Sequence, residues 1–181
     1  INEPAARTRA AFDEATGRNL LNYPPHRLVD YKHMKLAIVI PNMNIPMFEA
    51  VATLTIQPIS SPISSLTLNV GPSPSMEIHK VTLGLDASST TTVSFVHEGE
   101  QLRLVFEPPI APANQSDLII SYTLNDPHDG ITWTPESPAW PGRPAQLHSQ
   151  GQPESNHYWF PCHDFPNERL TTELFVMVPE G

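Results

Sequence analysis

An all-β fold of antiparallel sheets, packed as a sandwich or an open saddle, is predicted by three features of this sequence. About ten short stretches of alternating apolar and polar residues recur at roughly 8–12-residue spacing. The 21 prolines among 181 residues fall between those stretches rather than in one tract, and proline punctuates sheets because it has no N–H for a ladder. No strand–helix–strand rhythm appears, which excludes a doubly wound fold.

The elements follow in order. Pro4 to Thr16 is the one good helix candidate, with Asn2 as its cap, proline in the first turn and Gly17 as the stop. Residues 1–27 therefore read as a helical extension and linker closing on Tyr23-Pro24-Pro25, and residues 28–181 as the β domain. Met34, Leu36, Ile38 and Ile40 alternate with more polar neighbours up to Pro41. Phe48, Ala50, Ala52, Leu54 and Ile56 share one face, with Glu49, Thr53, Thr55 and Gln57 on the other. Strands are also predicted at 66–70, 76–85, 92–96, 102–106 and 118–124, with Glu98-Gly99-Glu100 joining two of them as a hairpin. Shorter ones fit 131–133 and 157–160, and the last, 170–178, puts Leu174, Val176 and Val178 on one face.

Composition narrows the function classes. The formal net charge is −9 and the 10 basic residues are scattered, so the clustered cations that a phosphate backbone requires are missing and nucleic-acid binding is excluded. The longest apolar run, Leu36 to Ile40, is far short of the ~20 residues of a membrane-spanning helix. A single cysteine, Cys162, can form no disulfide within the chain and weakly favours a reducing, cytoplasmic compartment. Because the sequence opens on Ile1, its N-terminus reads as truncated or processed.

Residues 146–166, QLHSQGQPESNHYWFPCHDFP, gather three histidines, a cysteine, two acids and three glutamines. A zinc site from His148, His157, His163 and Asp164 is disfavoured: on a strand, His157 and His163 stand ~20 Å apart at ~3.3 Å per residue. The helical H-E-x-x-H spacing is absent. Cys162 reads as a buried small hydrophobe, since an adjacent His163 on an extended chain faces away from it. No G-x-S-x-G elbow presents a serine. Trp133, Trp140, Tyr158 and Trp159 fit core and rim packing better than a sugar platform.

Ser149-Gln150-Gly151-Gln152-Pro153-Glu154 followed by Phe160-Pro161-Cys162-His163-Asp164-Phe165-Pro166 resembles the [TS]-Q-x-[EQ] … F-P-C-x-D-x-P signature of the aminopeptidase N family of zinc metallopeptidases. Asp30 to Leu36, Leu66 to Asn69, Ile78 to Val81, Leu118 to Tyr122 and Gly130-Ile131 are similar to that family's strands, in the same order. The resemblance implies a saddle-shaped N-terminal domain packed against a thermolysin-like domain that carries zinc, the H-E-x-x-H helix and the G-x-M-E-N strand. None of those motifs is in this sequence, and Gly181 falls where the family's chain crosses into catalysis.

By the same resemblance, Gln152 takes the Glu/Gln position that holds the free α-amino group of a peptide substrate, and Gln150 lines the same pocket. An ammonium needs acceptor oxygens and nearby negative charge; an amide oxygen supplies only the first. Pro153 should keep Gln152 extended. Two departures from the family pattern, Phe165 for an acid and His157 for an arginine, put local ion pairs in question. Asp164 is expected to bind backbone N–H groups near Asn167. The implied function is substrate binding and scaffolding for a zinc aminopeptidase, with no catalytic or metal residue, and no hydrolysis, in this segment alone. The alternatives are a non-catalytic interaction module, as in a transcription-factor subunit of the same architecture, and a carbohydrate-binding sandwich.

Overall fold

The computed structural model describes residues 12–13, 18–19, 24–86 and 89–180, and the regular elements among these described residues are strands apart from one 3-10 turn. The predicted helix at Pro4–Thr16 lies outside the described residues except at Phe12–Asp13 (β1), which is extended and pairs antiparallel with Arg18–Asn19 (β2).

The period-two segments form the main sheet. Val29–Val39 (β3), Met47–Pro58 (β4), Met76–Asp86 (β6), Ser89–Thr92 (β7), Ser116–Asn125 (β10) and Thr171–Met177 (β13) make six strands in the order β13-β3-β4-β10-β6-β7. A three-stranded sheet, β5-β9-β8, joins Ile63–Asn69 (β5), Ser94–Glu98 (β8) and Gln101–Ile110 (β9). A separate hairpin pairs Ile131–Thr134 (β11) with Gln146–Ser149 (β12).

Alternation dictates the core. Phe48, Ala50, Ala52, Leu54 and Ile56 are all buried, as the sequence predicts, while Glu49 and Val51 between them are exposed. They join Leu118, Ile120 and Tyr122 of β10 and Leu66, Leu68, Leu102 and Leu104 of the smaller sheet in one apolar cluster. Burying a side chain of this size contributes roughly 1.5–3 kcal/mol. The predicted hairpin turn is the two-residue loop Gly99–Glu100, with Gly99 at φ +56°, a conformation that only glycine adopts without strain.

Three features differ from the sequence prediction. First, residues 157–160 are not a strand: Asn156–Tyr158 forms a single 3-10 turn, because the His157 N–H donates to the Asp164 carboxylate at 3.0 Å instead of to a ladder. Second, Gln146–Ser149 is a strand that the sequence does not announce, its residues being exposed or half-buried. Third, the last strand joins β3 in parallel, Thr171 opposite His33 through Met177 opposite Val39. Glu168 enforces this entry, bonding the Tyr31 N–H at 3.1 Å and pairing with Arg27, so the chain starts β13 at the same end as β3. All seven residues of β13 are exposed, and Leu174, Phe175, Val176 and Met177 leave apolar surface on both of its faces. Strands of parallel sheets are ordinarily covered on both faces.

Candidate functional site, the Gln150–Gln152 turn

The hairpin of β11 and β12 delivers Gln150 and Gln152. Ile131 stands opposite Ser149, and one step further the Gln150 N–H donates to the Gly130 carbonyl at 2.9 Å. The chain then reverses through Gly151–Ser155, closed by the Ser155 N–H donating to the Gly151 carbonyl at 2.9 Å. Gln150 and Gln152 are both exposed. The Gln152–Pro153 peptide is cis.

Two groups of residues hold this turn. On one side, Asp129 accepts the Gly130 N–H at 2.8 Å and the Ser155 hydroxyl at 2.7 Å. Those two bonds, Ser155 first, lower the Asp129 carboxyl from its ordinary value. On the other side, the Asn156 amide reaches the Gly151 carbonyl at 3.4 Å and the Asp164 carboxylate at 3.2 Å. Asp164 also accepts the His157 backbone N–H at 3.0 Å and contacts His157 Nδ1 at 2.7 Å.

The structure thus relocates the expected partners of Asp164. They are His157 and Asn156, not groups near Asn167, which instead bonds the Pro25 carbonyl and His163. His157, which stands where the resembled family carries arginine, becomes the partner of this carboxylate. Burial by itself would raise the Asp164 carboxyl, but the His157 ring, the His157 N–H and Asn156 together hold it below its ordinary value.

The other chemically equipped residues do not converge. His148 is exposed on β12, His163 stacks on Tyr31 with ring centroids 5.3 Å apart, and the His157 ring is turned to Asp164. Among the described residues no three His, Cys, Asp or Glu side chains meet in a metal-sized group. Cys162 is buried and bridges to Asn69 at the end of β5; burial first, then the Asp164 charge, push its thiol well above its ordinary value. A thiol so held is a poor nucleophile. Trp133 and Trp159 pack on the core, whereas Trp140 is exposed over a cleft of about 740 Å³ in the β11–β12 loop.

A hollow of about 300 Å³ lies beside the turn, lined by Pro153 and Asn156 on one wall and by Leu170 and Thr172, where β13 begins, on another. The sequence motif located Gln150 and Gln152. It did not reveal Asp129, Ser155 and Asn156 as their supports, and the Asp129-Gly130 dipeptide, a common turn signal, was the one available hint.

No family model matches the chain. Among solved structures, the M1 zinc metallopeptidase from Deinococcus radiodurans superposes with a TM-score of 0.66 at 21% identity, over 85% of this chain and 33% of that one. Yeast LTA4 hydrolase superposes with a TM-score of 0.67 at 15% identity, over 85% of this chain and 23% of that one. The β architecture built above is the N-terminal domain fold of M1 zinc metallopeptidases. Sequence kinship is narrower: aminopeptidase B of Mus musculus is 32% identical over 91 residues, which cover 50% of this chain and 14% of the relative. In fold, and over those 91 residues in sequence, the chain is similar to the N-terminal region of M1 aminopeptidases. It spans about a third or less of the structures it matches.

Proposed function

We propose that this chain is the substrate-binding and scaffolding domain of a zinc-dependent aminopeptidase, and that Gln152, seconded by Gln150, accepts hydrogen bonds from the α-ammonium group of a peptide substrate. The supporting observation is the turn itself: an exposed Gln152 on a segment tied down by Asp129, Gly130, Asn156 and Asp164. Binding groups gain most when their backbone is fixed beforehand, because less freedom is lost on binding.

Within this reading the apolar faces of β13 are where the remainder of the enzyme packs, next to the hollow that reaches Pro153. In this reading zinc belongs to that other part, where it would supply a Lewis acid that activates water. A mutant form of the Deinococcus enzyme is described as bound to a Tyr-Ser-Ala substrate, which suits a peptide ligand. Segment 1–27 is read as an extension preceding the domain proper.

The test uses the enzyme that contains this domain. Gln152→Ala is expected to lower kcat/KM for aminoacyl substrates by about tenfold to a hundredfold, the worth of a hydrogen bond to a charged group, mostly through KM. Gln152→Glu should restore binding by adding charge. The isolated chain should hydrolyse nothing. Unchanged kinetics in Gln152→Ala, or chelator-sensitive hydrolysis by the isolated chain, would overturn the assignment.

A further inference from the structure

The tip of the β11–β12 hairpin, residues 135–145, carries a proline at every third position, Pro135, Pro138, Pro141 and Pro144. Two turns follow from that spacing. The Trp140 N–H donates to the Ser137 carbonyl at 2.9 Å, closing a turn that opens on Ser137-Pro138, the pair that type I turns favour. The Arg143 N–H donates to the Trp140 carbonyl at 3.2 Å, closing a second turn in which Pro141 is followed by Gly142 at φ +82°, the type II arrangement. Trp140 is the residue that both turns share. The Ser137 hydroxyl oxygen accepts the Ala139 N–H at 3.3 Å, and Asn44 Oδ1 accepts the Glu136 N–H at 2.8 Å, which ties the loop to the β3–β4 connection.

This frame leaves an indole in water. Trp140 is 65% exposed, whereas Trp133 and Trp159 pack on the core. An exposed tryptophan on a fixed backbone loses little freedom on binding and offers a large, flat apolar face. The cleft of about 740 Å³ beside it falls in the size range of small-molecule sites. Its polar lining is of both kinds. Glu136 brings acceptor oxygens, and Arg143 brings guanidinium donors, one of them bonded to Gln146 at 3.1 Å. Asn44, its oxygen engaged by the Glu136 N–H, brings an NH₂ group. The one acid and the one cation cancel, so the cleft selects for no net charge.

We propose that the Trp140 cleft is a binding site for neutral saccharides, in which a pyranose ring stacks its C–H face on the indole while its hydroxyls bond Glu136, Arg143 and Asn44. A hydroxylated ring has an apolar face bordered by groups that both donate and accept. Its complement is a tryptophan bordered by a carboxylate, a guanidinium and an amide. A proline-rich peptide, by contrast, docks in a groove lined by several aromatic rings, and Trp140 is the one aromatic side chain lining this cleft. Phosphorylated ligands meet repulsion at Glu136, and strongly basic ones at Arg143. The site is separate from the substrate turn. Thr134 stands opposite Gln146 at the loop end of the hairpin, and Ile131 opposite Ser149 at the Gln150 end. Those ends lie about 10 Å apart at the rise of a strand, so the site stands whether or not Gln152 holds an amine.

The experiment is titration of the ¹⁵N-labelled 181-residue chain with maltotriose, cellotriose, xylotriose and triacetylchitotriose, read as shifts of the indole N–H signals and of the loop amides 136–146. At least one sugar should move the Trp140 indole saturably, with a Kd of roughly millimolar or tighter, and leave those of Trp133 and Trp159 in place. Trp140→Ala should weaken that binding, followed in the loop amides, by about tenfold or more, the loss of a central aromatic contact. Arg143→Gln, which keeps the ring and removes the guanidinium, should weaken it by about threefold to tenfold. Both changes lie on the exposed loop, and unchanged strand amides verify the fold. No saturable shift from any of the four sugars up to ~10 mM, or binding that Trp140→Ala leaves undiminished, overturns the site. A shift caused by a decaproline peptide and by none of the sugars overturns the ligand class.

Discussion

Gly130→Ala is expected to cost this chain about 3–5 kcal/mol, a large share of the ~5–15 kcal/mol that holds a domain together. Gly130 has φ +78°, a backbone region that costs an L-residue roughly 1–2 kcal/mol. The larger part is steric. A Cβ at this position would lie 2.0 Å from the Ser155 carbonyl oxygen and 3.0 Å from the Trp159 ring, and the first of these is backbone, which cannot swing aside. Relief requires the 151–155 turn to retreat, which breaks the Ser155–Asp129 bond and the Gln150–Gly130 bond, each worth about 1 kcal/mol or more. Urea unfolding at neutral pH reads the loss as a drop in midpoint at constant slope. A shift under about 1 kcal/mol would mean that the turn yields freely and that Gly130 does not fix it.

Most of the β architecture was legible in the sequence because one face of each long strand is buried. Phe48 to Ile56 and Leu118 to Tyr122 alternate for that reason, and the pattern survives in the amino acids. Where burial on one face fails, so does the signal. Gln146–Ser149 forms a strand by pairing with Ile131–Thr134 while its own side chains stay exposed or half-buried, so no period shows. His157 to Phe160 reads as a strand because aromatic residues favour sheets, yet the segment turns because Asp164, seven residues later, captures the His157 N–H. Leu174 and Val176 do mark a strand, but its parallel pairing follows from Glu168 meeting Arg27 and Tyr31, contacts that span more than a hundred residues of chain.

The candidate site divides the same way. Gln152 and Gln150 are proposed from a local motif, by its spacing alone. What fixes their place is assembled from Asp129, Gly130, Asn156 and Asp164, brought together by hairpin pairing and a 3-10 turn. Asp164 shows the difference most clearly. Its position in the motif announced a structural carboxylate, but the expected partners lay downstream, whereas the real ones lie upstream and include the histidine that replaces the family's arginine.

Asp164→Ala should accordingly destabilise the chain by roughly 3 kcal/mol, the usual scale for removing one partner of a buried, hydrogen-bonded charge. The loss strands the His157 N–H, leaves the ring without its Nδ1 partner and removes one of the two acceptors of Asn156. Asp164→Asn should recover little, because either orientation of the amide puts an NH₂ group where a carboxylate oxygen now receives a donor. The pH dependence provides a signature that mere loss of packing would lack. The folded-state carboxyl is held below its ordinary value, so its contribution is complete above the unfolded carboxylate range, near pH 4, and fades as pH falls through the folded value. The gap in urea midpoint between the native chain and Asp164→Ala should therefore be widest near neutrality and narrow toward pH 3. A gap that stays constant across that range would mean the carboxylate's charge contributes nothing to holding the turn that carries Gln152.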